Sequence, residues 1–434
     1  MNERYEVRRF IPKEKVEIEV PGSKSITNRA LMLAALSNGV CKLTGVLFSD
    51  DSRAFLSCLI ELGFEVNIEE ELKTVAIRGL GGAIPNRNAE INVRSAGTAA
   101  RFLTAMLAFA GGDYLLQSSD QMKKRPMEPL ITLLRRIGVS VNCIEEEGHF
   151  PFEIHSKGID VKEITMDTSL SSQFVSALLM AGIMLPQGLK LRLSGSRTAG
   201  AYIKLTLSLM QQFGIEVRRE GDVCYVPYNL SYQVPSYQIE PDVSGACYFY
   251  AVALLLGTSV VVKGVHLDSM QGDIKFLEVL KQLECSIEDT EQGICVTGRK
   301  DRVFPGIRVN MNDFSDQTMT LAVLAPFAAS PTMITNISHI QLQESNRISA
   351  IIKELTRLGI RCEEKKEYQG ICIYPGKVTP AIVETYEDHR MAMAFTLIGL
   401  RVDGIIIDNP GCCAKTFENY FDIIDELTAK RQNG

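Results

Sequence analysis

The stretch Pro21-Gly22-Ser23-Lys24-Ser25-Ile26-Thr27-Asn28-Arg29 sets a turn, hydroxyls, a lysine and an arginine directly before an apolar run at 30–36. Ser23, Ser25 or Thr27 can cap a helix there. Free N–H groups and two cations at a buried helix start suit a small anion. A capped helix with Lys24 and Arg29 in solvent is the plain alternative. Further cations stand at comparable places: Arg101 after Ser95-Ala96-Gly97-Thr98, Arg125 in a Lys-Lys-Arg-Pro run, Arg347, Arg390 and Lys415. Ser171, Ser172 and Gln173 add three uncharged donors, and Asp316 and Glu344 two carboxylates. Gly97 allows close backbone approach to a ligand. Cations gather a polyanion, and a carboxylate beside them stays ionised and serves as a base unless burial raises its pKa. Each residue alone has a structural reading: Asp316 and Asp388 as helix caps, Ser171-Ser172 as a cap, the arginines as surface cations.

The elements that would position them recur. Taking Ser25, Gly97, Ser171, Ser244, Asp316 and Asp388 as markers, successive separations are 72, 74, 73, 72 and 72 residues. Each marker opens a segment almost wholly apolar, which predicts a helix buried on all sides, with Ser or Asp near its N-cap. A second, amphipathic helix alternates with these, at 52–62, 129–137, 202–213, 274–283, 348–358 and 420–427. Most of them stop at a glycine followed by a β-like run. Strands are expected at 16–20, 41–47, 115–118, 189–193, 259–262 and 405–408. One unit thus holds two helices and several short strands, repeated six times in an α/β chain. Six units divide naturally into two domains of three, 23–240 and 1–22 with 241–434. If the units stack in one orientation, the charged helix starts meet between the halves as a cationic cleft.

Composition narrows the function classes. The 434 residues are 46% hydrophobic and 23% charged, with net charge −6 and no long basic run, which argues against a nucleic-acid partner. Eleven scattered cysteines, only Cys412 and Cys413 adjacent, read as reduced thiols in a cytoplasmic protein. The five histidines show no ligand spacing, and His389 beside Arg390 reads as a hydrogen-bonding residue rather than a metal ligand. No signal peptide is visible, and no apolar run is long enough to cross a membrane. Neither G-x-x-x-x-G-K-[ST] nor G-x-G-x-x-G occurs. Chemistry without cofactor or metal, on anionic substrates, is the expectation.

In order, PGSKSITNRALMLAAL, SAGTAARF, KRPM, SLSSQF, DIKFLEVL, ESNRI, DHRMAM and CCAKTF resemble the sequence blocks of the EPSP synthase family, across nearly the whole chain. The resemblance implies two inside-out α/β barrels of three βαβαββ-type units each. It implies enolpyruvyl transfer from phosphoenolpyruvate (PEP) to the 5-hydroxyl of shikimate 3-phosphate, by addition and elimination, in a monomer whose domains close on substrate. By that likeness Lys24, Arg125, Arg347, Arg390 and Lys415 hold PEP, with Gly97 and Gln173 beside it. Lys24, Ser25, Arg29, Ser171, Ser172, Gln173, Tyr202, Asp316, His339 and Gln343 line the acceptor. Lys24, Asp316 and Glu344 are the catalytic set. Asp316 deprotonates the attacking hydroxyl, and Glu344 with Lys24 handles the proton at the methylene carbon.

The chain departs from the family pattern at several places. Ser95 stands for Asn, Phe102 for Pro or Leu, Ala199 for an acceptor-binding Ser, His339 for Asn, Gln343 for Lys and Asn346 for Asp, with Ser196 or Thr198 as substitutes for the missing serine hydroxyl. Three of these lie on the acceptor side, which suggests weaker acceptor binding or a different shikimate-like alcohol. A paralogue with another acceptor, and a non-catalytic repeat scaffold, are the competing readings. The scaffold predicts random helix starts, against which the dense charged set argues.

Overall fold

The computed structural model describes residues 4–12, 15–169, 171–195 and 200–429. The chain divides into two units, Gly22–Glu240 and Met1–Pro21 with Pro241–Gly434. Both are built from one repeat. In a representative copy, strand Asn88–Asn92 leads into the inner helix Gly97–Ala110, which returns to strand Gly112–Gln117. The outer helix Glu128–Arg136 then leads into the hairpin Ser140–Cys143 and Phe152–Ser156. The first two strands pair in parallel, Asn88 opposite Asp113, and the remaining ladders are antiparallel. Five four-stranded sheets share this spatial order of first, second, fourth and third strand.

Two first strands come from far along the chain. Ser236–Gln238 pairs in parallel with Asn38–Thr44 inside the Gly22–Glu240 unit. Val16–Ile18 pairs in parallel with Ser259–Lys263 inside the other. In the sixth copy helix Tyr420–Ala429 is the outer helix, and no hairpin follows it among the described residues. Arg4–Glu6 instead lies antiparallel on Ile406–Asp408, beside Ile382–Val383.

Within each unit three inner helices pack on one another, with the sheets outside them. This is the inside-out α/β barrel, and its cause is in the helix sequences. In Val243–Leu256 every side chain except Ser244 is buried, Phe249, Tyr250 and Leu255 included. Fully burying one such side chain is worth about 1.5–3 kcal/mol. The outer helices bury one stripe only. In Arg347–Arg357, Ile348, Ile351 and Leu355 face inward while Lys353 and Arg357 do not.

Four outer helices stop at a glycine with positive φ: Gly63, Gly138, Gly214 and Gly359. The outer helix Phe276–Gln282 has Glu284 in the same left-handed conformation, φ 66°. A side chain there is strained, and Glu284 is held by Arg299 at 2.6 Å. Strand positions differ from the sequence expectation mainly in offset. The expected strand at 41–47 runs Asn38–Thr44, because Gly45 at φ 68° turns the chain.

Candidate active site

In the Gly22–Glu240 unit the helix Lys24–Leu36 starts without the expected side-chain cap. Ser23 occupies the N-cap, but its Oγ is buried and has no hydrogen-bond partner. The backbone fixes the entry instead: Ser23 N–H donates to Glu240 O at 2.8 Å. Gly22 is held so close to the Gly45 carbonyl that no Cβ fits. Lys24 Nζ lies 2.6 Å from Asp51 Oδ2, whose side chain is 3% exposed. Asp51 belongs to the first turn of the helix Asp50–Glu61. Burial of this carboxylate is tolerable only because the ammonium accompanies it.

Arg29 is held differently. Its guanidinium donates to Thr206 Oγ1 at 2.8 Å, to Ser25 O at 2.9 Å and to Ser176 Oγ at 3.2 Å. It also lies over the rings of Phe102 and Tyr202. All three acceptors are neutral, and burial pulls its pKa down to about 10. Such a cation gains from an anion brought to it.

The inner helix Gly97–Ala110 has Ala96 at its N-cap, not Ser95, and no side chain caps it. Ser95 hydrogen-bonds Ser119 at 2.7 Å instead. A Cβ on Gly97 would stand 2.6 Å from a terminal nitrogen of Arg125 and 2.9 Å from one of Arg101. Glycine therefore lets both guanidinium groups close on this helix start. Arg101 donates to Gly97 O and lies over the Phe174 ring. Ser171 caps the inner helix Ser172–Ala181 by accepting from Gln173 N–H at 3.2 Å. Ser172 is buried, and Gln173 Oε1 is buried with no partner. Ala199, Ser196 and Thr198 lie outside the described residues.

In the other unit a single guanidinium organises the charges. Arg347 is 1% exposed. It donates through Nε to Asp388 Oδ2 at 2.8 Å, through one terminal nitrogen to Asp316 at 3.1 Å, and through the other to Glu344 at 2.9 Å. Gln343 Oε1 accepts from the nitrogen that serves Asp316. Burial alone would lower the pKa of Arg347, but Asp388, Glu344 and Asp316 together outweigh it and raise the pKa. Arg390 reaches the second oxygen of Asp316 at 2.8 Å, and Lys415 stands 4.0 Å from Glu344.

Asp388 caps the inner helix His389–Arg401, accepting from Arg390 N–H at 3.0 Å, and also takes the Ser345 hydroxyl at 3.0 Å. Asp316 is no helix cap: it sits in the turn Asn312–Gln317, committed to two arginines. His339 Nε2 is 2.8 Å from Ser315 Oγ. Asn346 caps the helix Arg347–Arg357 through Ser349 N–H.

Arg347, Arg390 and Lys415 are matched by Asp316, Glu344 and Asp388, because a buried cation without a counter-charge is costly. Among the described residues no group of three His, Cys, Asp or Glu side chains stands together as metal ligands would.

Sequence reasoning missed Asp51, Ser176 and Thr206. Asp51 follows Ser49-Asp50 at a helix start and looks like a capping acid. Ser176 and Thr206 read as small positions on apolar or amphipathic helices. Only their partners, 27 to 177 positions away, give them a role.

A family model described as EPSP synthase (3-phosphoshikimate 1-carboxyvinyltransferase) matches residues 12–424. A 3-phosphoshikimate 1-carboxyvinyltransferase of Nostoc punctiforme is 43% identical over 405 residues, 93% of this chain and 94% of its own. One of Vibrio atlanticus is 36% identical over 422 residues, 96% of this chain and 98% of its own. A solved EPSP synthase structure from Acinetobacter baumannii superposes with a TM-score of 0.81 at 24% identity, covering 98% of both chains. At that identity the superposition speaks for the fold.

Proposed function

Because the chain belongs to the EPSP synthase family, we propose that it is an enzyme moving the enolpyruvyl group of phosphoenolpyruvate onto the 5-hydroxyl of shikimate 3-phosphate. Phosphate is the other product. Addition comes first: the hydroxyl oxygen bonds to C2 of PEP, its proton leaves, and the methylene carbon gains a proton. The tetrahedral adduct then loses a methyl proton and its phosphate, restoring the double bond. Two separate proton-transfer groups are needed, one for oxygen and one for carbon.

The arrangement around Arg347 carries this reading. Asp316 and Glu344 sit on different terminal nitrogens of one buried guanidinium, so the two carboxylates are held apart and oriented. Asp316 takes the hydroxyl proton. Glu344 and Lys24 serve the carbon. Lys24, Arg125, Arg347, Arg390 and Lys415 carry PEP's phosphate and carboxylate, with Gly97 and Gln173 beside them. Ser25, Arg29, Ser171, Ser172, Gln173, Tyr202, His339 and Gln343 serve the acceptor. Cations in these places offset the repulsion between two anionic substrates and orient them for attack. The enzyme works as a cytoplasmic monomer, and no helix among the described residues is long and apolar enough to cross a membrane.

The test is phosphate release from PEP with and without shikimate 3-phosphate. Release that depends on the acceptor, with 5-enolpyruvylshikimate 3-phosphate as product, is expected. No release in its presence overturns the reading.

A further inference from the structure

Asp273 is a buried carboxylate to which the reaction above gives no part. It is 5% exposed and lies in the turn Gly272–Lys275. Its Oδ2 accepts the Ser244 hydroxyl and, at 2.9 Å, the side-chain N–H of Gln317. Gln317 is fully buried, and its Oε1 accepts from Thr320 Oγ1 at 2.9 Å. Both ends of the Gln317 amide are therefore fixed, and Gln317 is the residue directly after Asp316. Ser244 opens the inner helix Val243–Leu256. One carboxylate thus ties that helix start to the turn Asn312–Gln317.

A carboxylate buried this deeply persists when donors meet it, and both of these donors reach Oδ2. Charged and titratable groups reach it from each neighbouring element. Asp316 comes from the turn Asn312–Gln317, Arg390 from the helix His389–Arg401, and Asp242 and Cys247 from the start of Val243–Leu256. On its own turn Lys275 is engaged with Asp313 at 2.6 Å.

We propose that Asp273 is the positioning residue of Asp316: through Gln317 it fixes the turn that presents the Asp316 carboxylate, and through its charge it sets how readily that carboxylate holds a proton. The proposal rests on the reading of Asp316 as the base. Burial raises the pKa of Asp273, the negative charge of Asp316 raises it further, and Arg390 opposes both. Coupling of like charges is mutual. An ionised Asp273 therefore keeps Asp316 a better base than its two arginines alone would allow.

The experiment compares Asp273→Asn, Gln317→Leu and Asp316→Asn with the parent enzyme, measuring kcat and both KM values across pH. Asparagine keeps the shape of Asp273 and removes the charge. The Asp273→Asn kcat should fall about tenfold or more, with both KM values within about threefold. The acidic limb of its kcat profile should move to lower pH, because Asp316 loses a like-charged neighbour. An acidic limb that stays in place overturns the proposal, whatever happens to kcat. If Asp273→Asn does not fold, Gln317→Leu decides, because it cuts the tie and leaves the charge. Its kcat should fall with the limb unmoved, and an unchanged kcat overturns the positioning role. Near-parental turnover by Asp316→Asn would instead overturn the reading of Asp316 as base, which separates the two failures.

Discussion

At the scale of single residues, the most telling pair is Lys24 with Asp51, 2.6 Å apart and mostly buried. Lys24→Met removes a proposed proton-transfer group and also leaves a buried carboxylate without its cation. Turnover should fall by about 10²–10⁴-fold. Stability should fall as well, by about 3–5 kcal/mol, the usual cost of breaking a buried ion pair from one side. The double variant Lys24→Met/Asp51→Asn removes the orphaned charge, so its thermal midpoint should recover while its turnover does not. Steady-state rates and calorimetry on the three proteins separate the two effects, and near-normal turnover by Lys24→Met takes this residue out of the mechanism. Gly97 gives a second residue-scale prediction. The Cβ of Gly97→Ala would stand 2.6 Å from Arg125, so the guanidinium must move. The KM for PEP should rise about tenfold while the KM for shikimate 3-phosphate changes by less than about twofold. A parallel rise in both KM values would show that Arg125 is not specific to PEP.

At the scale of elements, helix starts are where charge and fold meet, and pH is the handle on them. Asp242 caps the helix Val243–Leu256. Burial, with Asp273 adding to it and Arg390 opposing, lifts its pKa to about 6. An acid whose pKa is higher folded than unfolded costs stability once both states are ionised. That cost is absent below the unfolded value of about 4, grows as pH rises to about 6, and is full above it. Asp242→Asn keeps an acceptor for the cap and removes the charge. Its gain in unfolding free energy over the parent should therefore be larger at pH 7 than at pH 4.5, by about 2 kcal/mol. Denaturant titrations at the two pH values measure it, and an equal difference at both would mean that this cap is solvated. The elements themselves were largely legible, because a helix buried all round has to be apolar all round, and six such runs recur at a nearly constant period. What could not be read were the caps and the pairings. Ser23 has the sequence of a cap and makes no capping bond. Asp316 resembles a cap and is bound to two arginines. The repeat shows where a helix starts, while the partners of its first residues lie on other helices at distances in sequence that no local pattern encodes. For the same reason the charged set was visible residue by residue, while Asp51, which holds Lys24, and Asp273, which holds the residue after Asp316, were not.

At the scale of the whole molecule, the chain leaves and re-enters its units at Pro21–Gly22 and Glu240–Pro241, and the sheet topology shows what each unit needs. The strand next to helix Lys24–Leu36 in sequence, Val16–Ile18, pairs with Ser259–Lys263 in the other unit. The Gly22–Glu240 unit completes its own third sheet with Ser236–Gln238, which pairs with Asn38–Thr44 almost two hundred residues earlier. A fragment spanning residues 22–240 therefore contains every strand of its three sheets and all three of its inner helices, and it should unfold cooperatively by circular dichroism. Ending it at residue 230 removes that edge strand and with it Tyr232, whose buried hydroxyl donates to Met180 O at 3.0 Å. The shorter fragment loses a parallel ladder and a fully buried tyrosine, and leaves the edge of Asn38–Thr44 open to other chains. It should be less stable than the longer one by about 2–4 kcal/mol and more prone to aggregate. Neither fragment should release phosphate from PEP, because Asp316, Glu344 and Arg347 are absent from both. Equal stability of the two fragments would mean that the returning strand is an ornament to the unit rather than part of its fold. Non-cooperative unfolding of the longer one would mean that the barrel of three repeats depends on the rest of the chain.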